Sequence, residues 1–202
     1  AIRTANNQSL TEITTLPSAV STGSLVLLAT ETASTSATIS FTSGIDSTYD
    51  EYVFKFIDIH PATDGAEFQM QSSIDAGSNY NVACTTALFM ANHHEDDSDA
   101  SLGYSTTHDA AQSTSFITLI PNMNNANDAS CSGSLKYFNP SNATFVKHFL
   151  GDFQGMQFSD SGKSKRSMTG GYFNTTSAVD AIQFKFSSGN IDAGTIKMYG
   201  VT

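Results

Sequence analysis

Hydrophobic and polar positions alternate with a period of two through most of this chain, and the alternation is plainest at its end. In the stretch AIQFKFSSGNIDAGTIKMYGVT, Ile182, Phe184 and Phe186 alternate with Ala181, Gln183 and Lys185, the pattern of a strand with one buried face. Ser187, Ser188, Gly189 and Asn190 supply turn chemistry, Gly194 marks a second break, and Ile196 and Met198 then share one face of a further strand. This predicts a C-terminal pair of strands closing a β-fold.

Upstream, the apolar run from Leu25 to Ala29 predicts a short strand buried on both faces, the tract ETASTS a turn, and Ala37 to Phe41 a second strand. The segment YVFKFIDIH, Tyr52 to His60, is the strongest strand signal, rich in aromatic and β-branched residues and closed by Pro61, which cannot donate to a ladder. Ala66 to Ile74, Val82 to Met90, Phe116 to Ile120, Leu135 to Phe138 and Phe145 to Leu150 read as further strands. Two long polar stretches interrupt them and are predicted as loops: ANHHEDDSDASLGYSTTHDAAQST after Met90, and Gly151 to Gly171. Loops of that length are frequent seats of binding. About ten short strands, with no amphipathic helix of three turns, no repeat of fixed period and no dividing linker, predict one all-β domain over 25–202. Two packed antiparallel sheets, a jelly-roll-like β-sandwich, would let each strand bury one face. Residues 1–24 are polar and read as an extended N-terminal arm. Its apolar residues Ile2, Leu10, Ile13 and Leu16 are too widely spaced for a strand and are candidates for burial against a partner.

Composition narrows the function. Nineteen acidic against nine basic side chains give a net charge of −10 over 202 residues, a field that repels phosphate backbones and leaves no extended basic stripe, so nucleic acid is not an expected partner. No apolar run approaches the ~20 residues of a membrane-spanning helix, and AIRTANNQSL lacks the basic-then-apolar layout of a cleaved signal. The expectation is a chain made in a cytoplasm, with no membrane partner. Cys84 and Cys131 fit no zinc spacing and read as buried thiols, a disulfide being the alternative.

Candidate chemistry is sparse. His93, His94, Glu95, Asp96, Asp97 and Asp99 concentrate metal-ligand residue types, but the run lacks the alternate spacing and glycine of a calcium loop and the second histidine of a zinc-protease helix. A solvated acidic loop is the reading preferred. Gly162, Lys163 and Ser164 spell the end of a phosphate-binding loop, yet Gln157 stands where the first glycine is required. With Lys165 and Arg166 they read as a solvated basic hairpin tip able to touch an acidic neighbour. Neither Gly-x-Ser-x-Gly nor Ser-x-x-Lys occurs, so no catalytic residue is assigned, and no cofactor is expected. Tyr80, Tyr104, Tyr137 and Tyr172 stand near turns, where they could stack on sugars or cap the core with the hydroxyl in water; the second is preferred in a chain without tryptophan.

Four stretches carry a family resemblance: SGIDSTYDEYVFKFIDIHPATDG, SSIDAGSNYN, FNPSNATFVKHF and GYFNTTSAVDAIQFKFSSGNIDAGTIKMYGV. Together they resemble virion structural proteins of tailed bacteriophages, particularly marine and cyanobacterial ones. The resemblance implies a β-sandwich on the outside of a phage particle, assembled in the bacterial cytoplasm, as a capsid decoration or cement protein. Its implied partners are the major capsid protein or another virion protein, together with copies of itself, a trimer being suited to such a role. The arm residues Ile2, Leu10, Ile13 and Leu16 would dock on neighbouring subunits, and His93, His94, Lys163, Lys165 and Arg166 are candidate loop contacts. The alternative is a tail or fibre component that binds host surface polysaccharide through the two long loops.

Overall fold

The computed structural model describes residues 25–158 and 162–202, and these form thirteen β-strands with no helix. In chain order they are β1 (Leu25–Ser36), β2 (Ile39–Phe41), β3 (Glu51–Pro61), β4 (Ala66–Ser73), β5 (Cys84–His94), β6 (Ala100–Tyr104) and β7 (Ala110–Ser113). Then follow β8 (Ile117–Met123), β9 (Cys131–Phe138), β10 (Lys147–Gln157), β11 (Lys163–Phe173), β12 (Ala181–Phe186) and β13 (Ile191–Val201). Every pairing is antiparallel.

The ladder folds into two layers. The larger runs β1-β13-β3-β9-β10-β11-β5, with β6 and β7 both paired to β5; the smaller runs β8-β4-β12-β2. They are joined where Gln157 of β10 meets Met123 of β8, and at the far end β1 passes beside β2, so the wall is nearly closed, like a flattened barrel. The fold is the all-β antiparallel sandwich that the alternation predicts.

Aromatic side chains from the two layers fill the space between. Phe54 and Phe56 of β3 and Phe153 of β10 meet Phe68 of β4 and Phe184 of β12, with ring centroids 5.1 Å apart for Phe56–Phe184 and 5.6 Å for Phe56–Phe68. Phe41 and Phe186 extend the cluster along the smaller layer. Edge-to-face geometry dominates, the arrangement that ring quadrupoles favour. Gly133 and Gly151 leave room for the Phe153 ring, and Gly155 leaves room for Cys131, Met123 and Ile120.

Past the Gln157–Met123 junction the layers diverge, and among the described residues one edge of β8 has no backbone strand partner. Side chains of β11 fill the gap: Ser167 Oγ donates to the Leu119 carbonyl at 2.7 Å and Lys165 Nζ to the Pro121 carbonyl at 3.0 Å. Pro121 sits where the β4–β8 register slips between Ala66 and Phe68, a bulge being one of the few places a strand tolerates proline. On the other side Gln71 Nε2 donates to the carbonyls of Thr114 and Ser115. Buried backbone acceptors are thereby satisfied by side chains instead of a ladder.

Several element boundaries differ from the sequence expectations. ETASTS lies within β1, and β1 shows Leu25 and Leu27 to solvent, because it is an edge strand of one layer and not a central one. Gly151 to Gly171 is no loop: most of it belongs to the β10–β11 hairpin, whose ladder pairs Lys147 with Phe173 through to Gln157 with Lys163. The polar stretch after Met90 continues β5 and contains β6 and β7. Polar outer-face residues hide β10 and β11 from a hydrophobicity reading, since only one side of each contributes to the core, and β6 is exposed along its whole length. Tyr137, expected near a turn, is fully buried, with its hydroxyl 3.1 Å from Ser72 Oγ.

Candidate interaction face

The inner face of the large layer serves the core; among the described residues no second layer covers its outer face. Inward residues of β10 are Phe149, Gly151, Phe153 and Gly155, which leaves His148, Leu150, Asp152 and Gln154 pointing out. The registers place Leu150 beside Lys136 on β9 and Gly170 on β11, Asp152 beside Met168, Met168 beside Phe89, and Phe89 beside Tyr104. Leu150 is 57% exposed, Phe89 46% and Met168 40%. They wall a dimple of about 600 Å³ floored by Ala87 and Gly170, where small residues let the surface sink. Phe89 and Tyr104 stand edge to face with centroids 5.4 Å apart, which holds the Phe89 ring against the sheet.

A polar groove of about 520 Å³ adjoins the dimple, sharing Ser134 and Asp152 with it, and is lined further by Lys55, Ser132, Gln154 and Arg166. Arg166 is held by Asp152, Nε to Oδ1 at 3.0 Å and Nη2 to Oδ2 at 2.6 Å, and this fork raises the guanidinium pKa above its ordinary value. Lys136 lies 3.5 Å from Glu51. Lys55 faces Lys197 directly across the β3–β13 ladder, and neither has an ion-pair partner among the described residues.

The loop residues singled out from sequence fare differently. β5 and β11 bring the two polar stretches together, with His94 opposite Lys163 and His93 opposite Ser164. His93 Nε2 lies 3.1 Å from Asp97 Oδ1 on an exposed tip. Asp96 accepts from the Ser98 hydroxyl and backbone, which holds its carboxyl below the usual range. Among the described residues no group of three His, Cys, Asp or Glu side chains could hold a metal ion. Gly162, Lys163 and Ser164 lead into a strand, so no helix N-terminus stands ready for phosphate.

Lys165 is corrected outright. Instead of decorating a solvated tip it is 1% exposed, inside the sandwich, because strand alternation turns 165, 167 and 169 inward while 164, 166 and 168 face out. Burial, reinforced by the charge of Lys163 and opposed by that of Glu67, pushes its pKa down to about 8. Ile2, Leu10, Ile13 and Leu16 lie outside the described residues. Cys84 and Cys131 are free and buried, and burial pushes both thiols up to about 12.

Sequence reasoning missed Lys55, Phe89, Leu150, Met168 and Lys197 as a group. A signal existed in β10: within KHFLGDFQGMQ, Phe149 and Phe153 fix the inward phase, and Leu150 is the apolar residue out of phase with it. The neighbours that complete the patch come from strands far apart in sequence, which periodicity alone does not connect.

The fold and this face define an all-β antiparallel sandwich with a mixed apolar and basic sheet surface left uncovered by the described residues. Comparisons with protein-family models, with curated proteins and with solved structures find no match.

Proposed function

We propose that the chain is a structural protein of a bacteriophage particle, a capsid decoration or cement protein bound to the outside of the shell. The observation that carries the reading is the outer face of the large layer. Exposed Leu150, Phe89 and Met168 form a contiguous apolar patch ringed by polar groups, a surface composition typical of protein–protein contact. The four phage-like sequence stretches supply the biological setting. The acidic remainder of the surface suits a protein that stays soluble at high copy number until it is assembled. Major capsid protein or another virion protein is the proposed partner, with copies of this chain as neighbours in trimers, and residues 1–24 as a second point of attachment. No catalytic role is proposed.

The test is the stoichiometry of the chain in purified particles, with a variant lacking residues 1–20 measured in parallel. Copy numbers near those of the major capsid protein support decoration, and loss of the truncated chain from particles supports attachment through the arm. A handful of copies per particle, or none, overturns the reading. The tail or fibre alternative gains one observation, that the β5–β6 and β10–β11 hairpin ends lie side by side and could form a joint polysaccharide site. Binding to host surface polysaccharide, abolished by changes at His93 and Lys163, would favour it.

A further inference from the structure

Lys55 and Lys197 stand opposite one another in the β3–β13 ladder, and neither has an ion-pair partner among the described residues. Like charges directly opposite one another in a ladder destabilise a sheet, and here no carboxylate among the described residues relieves them. Arg166, the other cation of the groove, is already bound by Asp152, and Lys136 is partnered by Glu51. A chain with nineteen acidic side chains therefore presents, on this open and partly apolar sheet face, two lysines without an ion-pair partner among the described residues.

We propose that this face docks an acidic polypeptide segment of another protein, its carboxylates lying over Lys55 and Lys197 and one of its apolar side chains entering the dimple between Phe89, Leu150 and Met168. The inference rests on the reading of the chain as an assembly protein and specifies the partner's chemistry. The groove and dimple are contiguous through Ser134 and Asp152, so one short segment can reach both. Ser132, Ser134 and Gln154 line the groove with Lys55 and offer hydrogen bonds there, which fix the position of carboxylates that charge alone would leave mobile. The dimple selects among anions. A sulfated or uronic polysaccharide has sulfate or carboxylate but no aliphatic or aromatic group to place between Leu150 and Met168, and the net charge of −10 repels any long polyanion that brings no apolar contact. A polypeptide supplies both.

The test uses the full chain against immobilised copolymer of glutamate and tyrosine, with poly-glutamate and heparin as the other arms, at low and at physiological salt. Expected is binding to the copolymer that weakens with salt, poly-glutamate bound about tenfold more weakly and heparin more weakly still. The Lys55→Glu/Lys197→Glu double variant should lose at least about tenfold in affinity for the copolymer, and Leu150→Ser/Met168→Ser should erase the preference for copolymer over poly-glutamate. Lys55, Leu150 and Met168 are exposed and Lys197 is half-buried; folding of each variant is checked by the thermal transition, and if either double variant does not fold, Lys55→Glu alone decides. No binding by the unaltered chain, equal binding by the lysine variant, or heparin bound as tightly as the copolymer overturns the proposal. Particle copy number is measured independently, so a chain abundant in particles but indifferent to the copolymer sinks this inference alone.

Discussion

The ammonium of Lys165 donates to the carbonyl oxygen of Pro121 at 3.0 Å, from a position 1% exposed between the two layers. The contact satisfies an acceptor on the free edge of β8 at the cost of dehydrating a charge, and the cost is visible in a pKa held near 8. Two layers that share only one short junction are thus sewn together by side chains of β11.

This fixes a pH dependence. The folded-state pKa lies below the ordinary 10.5, so between about 8 and 10.5 the unfolded chain binds more protons and stability rises with pH. Below about 8 both states carry the charge and the penalty, about 3 kcal/mol by the size of the shift, is fully present. Lys165→Met removes the penalty and orphans Pro121. Denaturant unfolding of both chains at pH 7 and pH 10 should show the wild type gaining up to about 3 kcal/mol on the variant over that interval. A difference that stays flat with pH would contradict the buried-charge account.

The two thiols give an opposite slope and a separate test. Burial raises Cys84 and Cys131 to about 12, above the ordinary 9, so the unfolded chain loses thiol protons first and stability falls as pH rises from about 9. Because thiolate is the reactive species, alkylation of the native protein at pH 8 should be slowed about a thousandfold by protonation alone, and further by burial. Both sites should label at once in denaturant. Rapid native labelling of either would contradict its placement in the core.

How much of this was legible in the sequence depends on which side of a strand carried the signal. β3, β4 and β12 bury bulky residues at every second position, and Phe54, Phe56, Phe68, Phe184 and Phe186 announce them. β11 does not announce itself: its inward positions are Lys165, Ser167, Thr169 and Gly171, so KSKRSMTGG reads as a loop although it is a central strand. Two of the side chains it buries, Lys165 and Ser167, hydrogen-bond to β8, a contact between segments more than forty residues apart that local pattern does not encode. The apolar face was hidden for a related reason. Phe89, Leu150 and Met168 belong to three strands and become one patch only through register.

The phenylalanine cluster should behave as one packed unit. Phe184 touches Phe41, Phe54, Phe56 and Phe68, and it is fully buried. Phe184→Ala removes a ring that four others lean on, so equilibrium unfolding should report a loss of about 3–5 kcal/mol. Phe184→Leu should cost clearly less, since the aliphatic side chain fills part of the space. A loss under about 1 kcal/mol for the alanine variant would mean the layers collapse onto the gap, contrary to their tight interdigitation.

Two glycines separate close packing from mere occupancy of a strand. Gly133, on the inner face of β9, has no room for a methyl group: a Cβ there would run into the Asp152 carbonyl oxygen and lie 2.9 Å from Phe153 Cα, both backbone atoms of the paired strand β10. Neither can swing aside as a side chain would, so β9 and β10 must part and the Phe153 ring must shift with them. Gly103, on β6, has nothing within 4 Å of the same position, and its strand is exposed along its length. Gly133→Ala should therefore cost about 1–3 kcal/mol or more, whereas Gly103→Ala should fall within about 0.5 kcal/mol of the parent, with the smaller entropy of the unfolded chain tilting it towards stabilisation. Thermal denaturation of the two variants side by side measures the contrast directly. Equal effects at both positions would mean that β9 and β10 do not approach as closely as this register requires, and would call into question the inward phase of β9 on which the outward placement of Ser134 and Lys136, and with it the composition of the open face, depends.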